Sequence, residues 1–187
     1  AVAAINAADG KVQWLTAYPR ANFDPQKNGE PATNFQRDLN PCLYWRGLLC
    51  VIPSDCHDLI CLEAATGQLL WSSPASDIIH LLGVNDEGKL LASGNRLWWI
   101  DAWTGNITAR FPESNKAEPR GYGRGVLAGD VVYWPTKDAL YVIDQNTAKQ
   151  TRQPIDLARR GLTGGNLIVT GRHLLITTAQ NVAAFTE

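Results

Sequence analysis

Apolar positions along this chain come in short alternating runs, each cut off by Gly, Asn, Asp or Pro after a few residues. A period of two places successive side chains on opposite faces of a strand, whereas a helix needs apolar positions every three to four residues. The alternation predicts strands at 42–45, 48–52, 59–62 and 69–71, then at 78–84, 89–93, 97–100 and 107–111. A third set follows at 124–127, 131–134 and 140–143 with a poor fourth strand near 150–153, and a last set at 167–170, 174–177 and 182–185. No stretch sustains the helical period, although 154–161 has room for one helical turn. Four strands per unit with tight turns between them is the signature of an antiparallel all-β protein.

The turns repeat a phrase. Residues 4–14 read AINAADGKVQW, 61–71 CLEAATGQLLW, 99–109 WIDAWTGNITA and 142–152 VIDQNTAKQTR. Aligned on Gly10, Gly67, Gly105 and Ala148, an acidic or amide residue stands four positions earlier each time: Asn6, Glu63, Asp101 and Asp144. Asp9, Thr66, Thr104 and Thr147 precede the turn residue, and Trp14 and Trp71 follow it by four in the first two copies. The glycine supplies a positive φ that other residues resist. The acidic side chain is placed to accept bonds from the turn's own N–H groups, and the Trp to cover a neighbouring unit. Spacings of 57, 38 and 43 residues describe a unit of about forty residues with one long insertion, a period typical of propeller blades.

The pattern A-x-D-x-x-T-G-x-x-x-W resembles the tryptophan-docking repeat of quinoprotein-type, or pyrroloquinoline quinone (PQQ)-like, propellers. Ala4, Asn6, Asp9, Gly10 and Trp14 carry it in the first copy, and Glu63, Thr66, Gly67 and Trp71 in the second. Asp101, Thr104 and Gly105 carry it in the third, with Ala109 for the Trp. The resemblance covers nearly the whole chain outside 16–40. It implies one β-propeller domain over 1–187, built of four-stranded antiparallel blades. Three blades are whole and two partial, so a segment of a larger ring is expected; a small ring closed by the first and last strands is the alternative.

Two kinds of protein share this repeat: PQQ-dependent alcohol or sugar dehydrogenases, and non-catalytic propellers similar to the outer-membrane assembly factor BamB. The dehydrogenases hold the quinone against a Trp and two adjacent cysteines, with a calcium ion bound by Glu and Asn or Asp and an Asp as base. This chain has no adjacent Cys pair and no recognisable calcium constellation. No catalytic, cofactor-binding or metal-binding residue is therefore carried over, and PQQ with calcium is expected only under the dehydrogenase alternative. The resemblance favours a scaffold that binds a protein partner in an extracytoplasmic compartment. A glycan surface built on exposed Trp residues is a third possibility.

Net charge of −1 gives no electrostatic footprint for nucleic acid, and no apolar run approaches the ~20 residues of a membrane span. The four cysteines, Cys42, Cys50, Cys56 and Cys61, lie close together, with His57 beside Cys56. They lack the short spacing of zinc ligands. Cys50 and Cys61 fall nearly opposite each other across a turn. A disulfide in an exported protein and small buried apolar side chains both remain open.

In the topology that the resemblance implies, the loops after the second strand of each unit share one face with the segments leading into the first strand. Asp55, His57, Arg96, Arg120, Tyr122 and Lys137 are the candidate binding residues there, with Asp138 beside them, since loops on a rigid scaffold commonly carry binding. The glycine-rich runs 121–125 and 161–166 occupy equivalent places, which points to structural spacing and not to a phosphate loop. His80 reads as a strand residue, and Trp98 and Trp99, adjacent on one strand, must face opposite sides. The insertion at 16–40 carries Tyr18, Phe23 and Phe35 and is expected to pack partly on the propeller.

Overall fold

The computed structural model describes residues 1–20, 40–75, 77–113 and 119–186. Among the described residues five antiparallel sheets follow one another along the chain. The first has two strands, β1 (Val2–Ile5) and β2 (Val12–Thr16). Blade A contains β3 (Leu43–Trp45), β4 (Leu48–Val51), β5 (Asp58–Glu63) and β6 (Leu69–Pro74). Blade B contains β7 (Ile78–Val84), β8 (Lys89–Gly94), β9 (Leu97–Asp101) and β10 (Ile107–Phe111). Blade C contains β11 (Val126–Ala128), β12 (Val131–Pro135), β13 (Ala139–Asp144) and β14 (Ile155–Asp156). The last sheet holds β15 (Asn166–Val169), β16 (His173–Thr177) and β17 (Val182–Thr186).

Strands are ordered sequentially within every sheet, and the first strands β3, β7, β11 and β15 neighbour one another in series. That is the arrangement of propeller blades around an axis. The two-stranded and three-stranded sheets do not hydrogen-bond to each other, so the first and last strands do not close a small ring.

The repeated phrase makes one turn four times. In each copy the residue at the glycine position donates its N–H to the carbonyl four residues back: Gly10 to Asn6, Gly67 to Glu63, Gly105 to Asp101 and Ala148 to Asp144. The φ values are 71°, 74°, 74° and 57°, so Ala148 accepts the left-handed conformation that glycine adopts freely. Two carboxylates cap the turn through its N–H groups as the sequence indicates, while that of Glu63 accepts from the Thr66 hydroxyl. Asp101 Oδ1 accepts from the Trp103 and Thr104 N–H groups, and Asp144 Oδ1 from those of Asn146 and Thr147. Lys89 hydrogen-bonded to Asp101, and the Thr147 N–H donated to Asp144, hold the two carboxyls below the usual carboxylate range.

Three apolar cores lie between successive sheets. The first joins blades A and B through Cys50, Leu59, Cys61, Trp71, Leu81, Leu90 and Trp98. The second joins B and C through Leu91, Leu97, Trp99, Val132, Trp134 and Ile143. The third joins C to the last sheet through Leu140, Leu157, Leu167 and Ile176. Trp98 and Trp99 thus enter different cores, as their alternation requires.

The indoles form a docking series. Trp14 Nε1 donates to the Ala64 carbonyl and Trp71 Nε1 to the Ala102 carbonyl, each 3.0 Å away in the turn of the next blade. Each ring lies against that turn's glycine: a Cβ built on Gly67 would stand 2.5 Å from Trp14, and one on Gly105 2.6 Å from Trp71. The third copy has Ala109 where the Trp should be, yet the bond is kept. Trp99 Nε1 donates to the Gln145 carbonyl at 2.6 Å, and Gln145 occupies the turn position of Ala64 and Ala102. Trp99 and Ala109 are directly paired across β9 and β10. Blade A makes the reverse choice, with the small Cys61 paired to Trp71. Each of these two strand pairs supplies one large ring, from either side.

Blade C departs from the expected pattern in its outer strand. The fourth strand is Ile155–Asp156, beside Ala139 and Leu140, and not 150–153; Gln150 makes only an isolated bridge to Ile143. Polar Gln150, Arg152 and Gln153 are exposed, while Ile155 packs on the third core, so burial moves the pairing downstream. The helical turn expected within 154–161 is a 3-10 turn at Ala158–Arg160.

Candidate binding face

The loops following β4, β8 and β12 meet the segments leading into β7, β11 and β15, and backbone hydrogen bonds join them. Ala75 N–H donates to the His57 carbonyl and Gly121 N–H to that of Asn95. Tyr122 N–H donates to Pro135, Gly164 N–H to Lys137 and Leu157 N–H to Asp138. The glycine runs permit this approach. A Cβ on Gly121 would lie 2.0 Å from the Gly94 carbonyl oxygen, and one on Gly164 2.1 Å from that of Thr136. Such distances admit no side chain, so the glycines let loops of neighbouring blades touch backbone to backbone.

The six residues singled out in the sequence do not form one cluster. Asp55 is half-buried and held by the insertion: Tyr18 Oη donates to its Oδ1 at 2.6 Å, and Arg20 Nε lies 3.1 Å from Oδ2. Burial and the bond to Asp55 push the Tyr18 phenol up to about 12. Of the insertion's other aromatics, Phe23 and Phe35 lie outside the described residues. Asp55 and Tyr18 line a cavity of about 370 Å³ with Asn40 and Cys42.

Arg96 and Arg120 come together over a second cavity of about 360 Å³, with Asp77, Asn95, Trp98, Pro112 and Pro119. Its carboxylate is engaged, because Trp98 Nε1 donates to Asp77 Oδ1 at 2.9 Å. Tyr122 and Lys137 are exposed one blade further on, and Gly164 packs between their backbones. His57 is exposed in the turn of blade A, with its carbonyl bonded to Ala75. The face is therefore a row of polar and aromatic groups spread over three blades on a hydrogen-bonded backbone. Among the described residues no group of three His, Cys, Asp or Glu could hold a metal ion.

Two further residues act at the inner side of this surface. Arg124 reaches across blades to donate Nη2 to the Leu81 carbonyl, and its own N–H donates to Asn166 Oδ1. His80 on β7 is half-buried, and burial first, then the nearby Arg124 charge, lowers it to about 4. In the sequence Arg124 reads only as a member of the glycine run 121–125 and the start of a strand. Its interblade role needs the curvature of the ring, which no local pattern carries.

The His80 shift makes a pH prediction. The unfolded chain takes up the imidazole proton near 6.5 and the folded chain only near 4, so between these values the unfolded state binds more protons and stability falls as the solution is acidified. The partly buried group should contribute about 2 kcal/mol to that fall. His80→Gln should flatten the decline in urea midpoint between pH 6.5 and 4, with the two proteins parallel above pH 7.

Serial four-stranded blades bound by indole-to-turn docking define a PQQ-like repeat β-propeller. The chain belongs to the family described as outer membrane protein assembly factor BamB, whose model matches residues 1–186. No curated protein matches it by sequence. Among solved structures it is similar to BamB from Moraxella catarrhalis, with 14% identity and a TM-score of 0.60 over 79% of this chain and 46% of that one. It is also similar to the computationally designed Ika4 protein, with 11% identity and a TM-score of 0.58 over 78% of this chain and 88% of that one. A third is the quinohemoprotein alcohol dehydrogenase ADHIIG from Pseudomonas putida HK5, with 15% identity and a TM-score of 0.53 over 73% and 28%. The chain spans less than half the length of the BamB structure. At these identities the likeness concerns the fold.

Proposed function

We propose that this chain is a non-catalytic binding scaffold of the cell envelope whose loops hold a protein partner across blades A, B and C. The observation that supports it most is the backbone-bonded row of loops. A surface whose loops are already ordered loses little conformational entropy when a partner docks, and Arg and Tyr are the residue types that dominate interface energetics. Arg120, Tyr122 and Lys137 are exposed there. Two carboxylates of this face are tied to structural partners, Asp55 to Tyr18 and Arg20, and Asp77 to Trp98. The chain also has no adjacent cysteines to clasp a quinone. Membership of the BamB family supports an extracytoplasmic site of action and a partner among envelope proteins.

The reading is tested by placing a photo-crosslinking amino acid at Tyr122 or Lys137, and for comparison at Thr147 or Lys149 in the turn at the opposite end of blade C. In cells that make the protein, the face positions should link to one discrete envelope protein and the turn positions should not. Equal labelling from both ends, or none from the face, would contradict it.

A further inference from the structure

Two thiols face each other inside blade A. Cys50 on β4 pairs directly with Cys61 on β5; both are 0% exposed, and their sulfurs lie 3.8 Å apart. The register tells which kind of pair this is. Ala64 N–H donates to the Gly47 carbonyl, and hydrogen-bonded and non-hydrogen-bonded pairs alternate along an antiparallel ladder. Counting from 47 with 64, the bonded pairs are 49 with 62 and 51 with 60, which leaves 50 with 61 non-hydrogen-bonded. Such pairs hold Cα atoms about 4.5 Å apart with side chains at their closest, inside the range of about 4.4–6.8 Å that a disulfide spans. Side-chain rotation alone can close the remaining gap between the sulfurs. Cys42 is exposed beside the start of β3, and the Cys56 sulfur accepts the Asp58 N–H in the turn.

We propose that Cys50 and Cys61 form a cross-strand disulfide by exchange with an oxidised dithiol carrier. The Cys61 thiolate attacks one sulfur of the carrier's disulfide and expels the other as a thiolate, giving a mixed disulfide. The Cys50 thiolate then attacks the Cys61 sulfur and displaces the carrier. The two thiol protons pass through solvent to the carrier's two sulfurs, two electrons reduce the carrier to its dithiol, and the S–S bond joins β4 to β5. Cys61 is the attacking group because it accepts the Cys50 thiol's hydrogen bond, which favours its thiolate; Cys50 is raised by donating that bond and by burial. Both sulfurs sit in the core shared by blades A and B, so exchange takes place as the hairpin forms and before blade B covers it. The staple closes the 52–57 turn, which carries Asp55 and His57. It stands independently of the partner reading.

The test is to refold the reduced chain in mixed oxidised and reduced glutathione, confirm cooperative unfolding, and titrate thiols in denaturant. Two of the four thiols should be lost. Digestion with trypsin and an Asp-specific protease separates Cys50 (47–54), Cys56 (55–57) and Cys61 (58–76), and the linked product should join 47–54 to 58–76. The linked protein should unfold at higher urea than the same sample after phosphine reduction. The double variant C42A/C56A should form the link equally well, and C50S should leave its three thiols free; should C50S not fold, C42A/C56A decides. Four free thiols in the folded chain, or a link that uses Cys42 or Cys56, would overturn the proposal.

Discussion

Replacing Trp99 by alanine should cost about 3–5 kcal/mol of folding stability, the range for removing a buried aromatic ring from a packed core. Trp99 is 1% exposed at the centre of the core between blades B and C, and its indole N–H supplies the bond to Gln145. The substitution therefore leaves a cavity, while the Gln145 carbonyl keeps its second donor, Asn85 Nδ2, 3.1 Å away. Its distinguishing feature is the rescue. Ala109 faces Trp99 across the β9–β10 pair and occupies the sequence position that holds Trp71 in blade A. Trp99→Ala combined with Ala109→Trp should recover about half of the loss, since the ring then reaches the same turn from the neighbouring strand. Urea denaturation of the two single variants and the double variant checks this. Additive losses would mean that the two positions do not share one docking site.

Gly105→Val should cost roughly 2–4 kcal/mol, for two reasons that act together. The residue holds φ of 74°, a region that costs a β-branched side chain at least about 1–2 kcal/mol. A Cβ there would also stand 2.6 Å from the Trp71 ring, which is buried in the core and cannot move without giving up its bond to Ala102. Gly10, by contrast, has a φ of 71° and nothing within 4 Å of a built Cβ. Gly10→Val should thus show the backbone term alone. The difference between the two urea midpoints isolates the ring contact, and equal losses would show that the docked Trp contributes nothing to the glycine requirement.

The turns were legible in the sequence because everything that makes them is local. Asp101 caps residues two and three positions away, and Gly105 needs only its own φ; both leave a fixed spacing in the chain. The blade boundaries followed from that spacing. What escaped was set by contacts between distant strands. Ala109 looked like a lost docking residue, since nothing in the chain says that Trp99, ten positions earlier, lies directly across from it. The outer strand of blade C lies at Ile155–Asp156 and not at the expected 150–153, because the third core selects Ile155. Of the candidate face, the sequence located the loops but not their commitments. Asp55 belongs to Tyr18 and Arg20, and only the folded chain brings Arg96 and Arg120 over one cavity.

The same distinction separates fold from function in this family. Indole docking and capped turns build the blade, and a fold built this way does not by itself specify a cofactor site. A scaffold reading therefore turns on whether these blades seat a quinone at all. The most direct measurement is a titration of the cooperatively folded chain with PQQ, with and without calcium, followed by tryptophan fluorescence. The scaffold reading predicts no saturable quenching and no calcium dependence. Saturable, calcium-dependent quenching at micromolar PQQ would contradict it and place a quinone site within these blades.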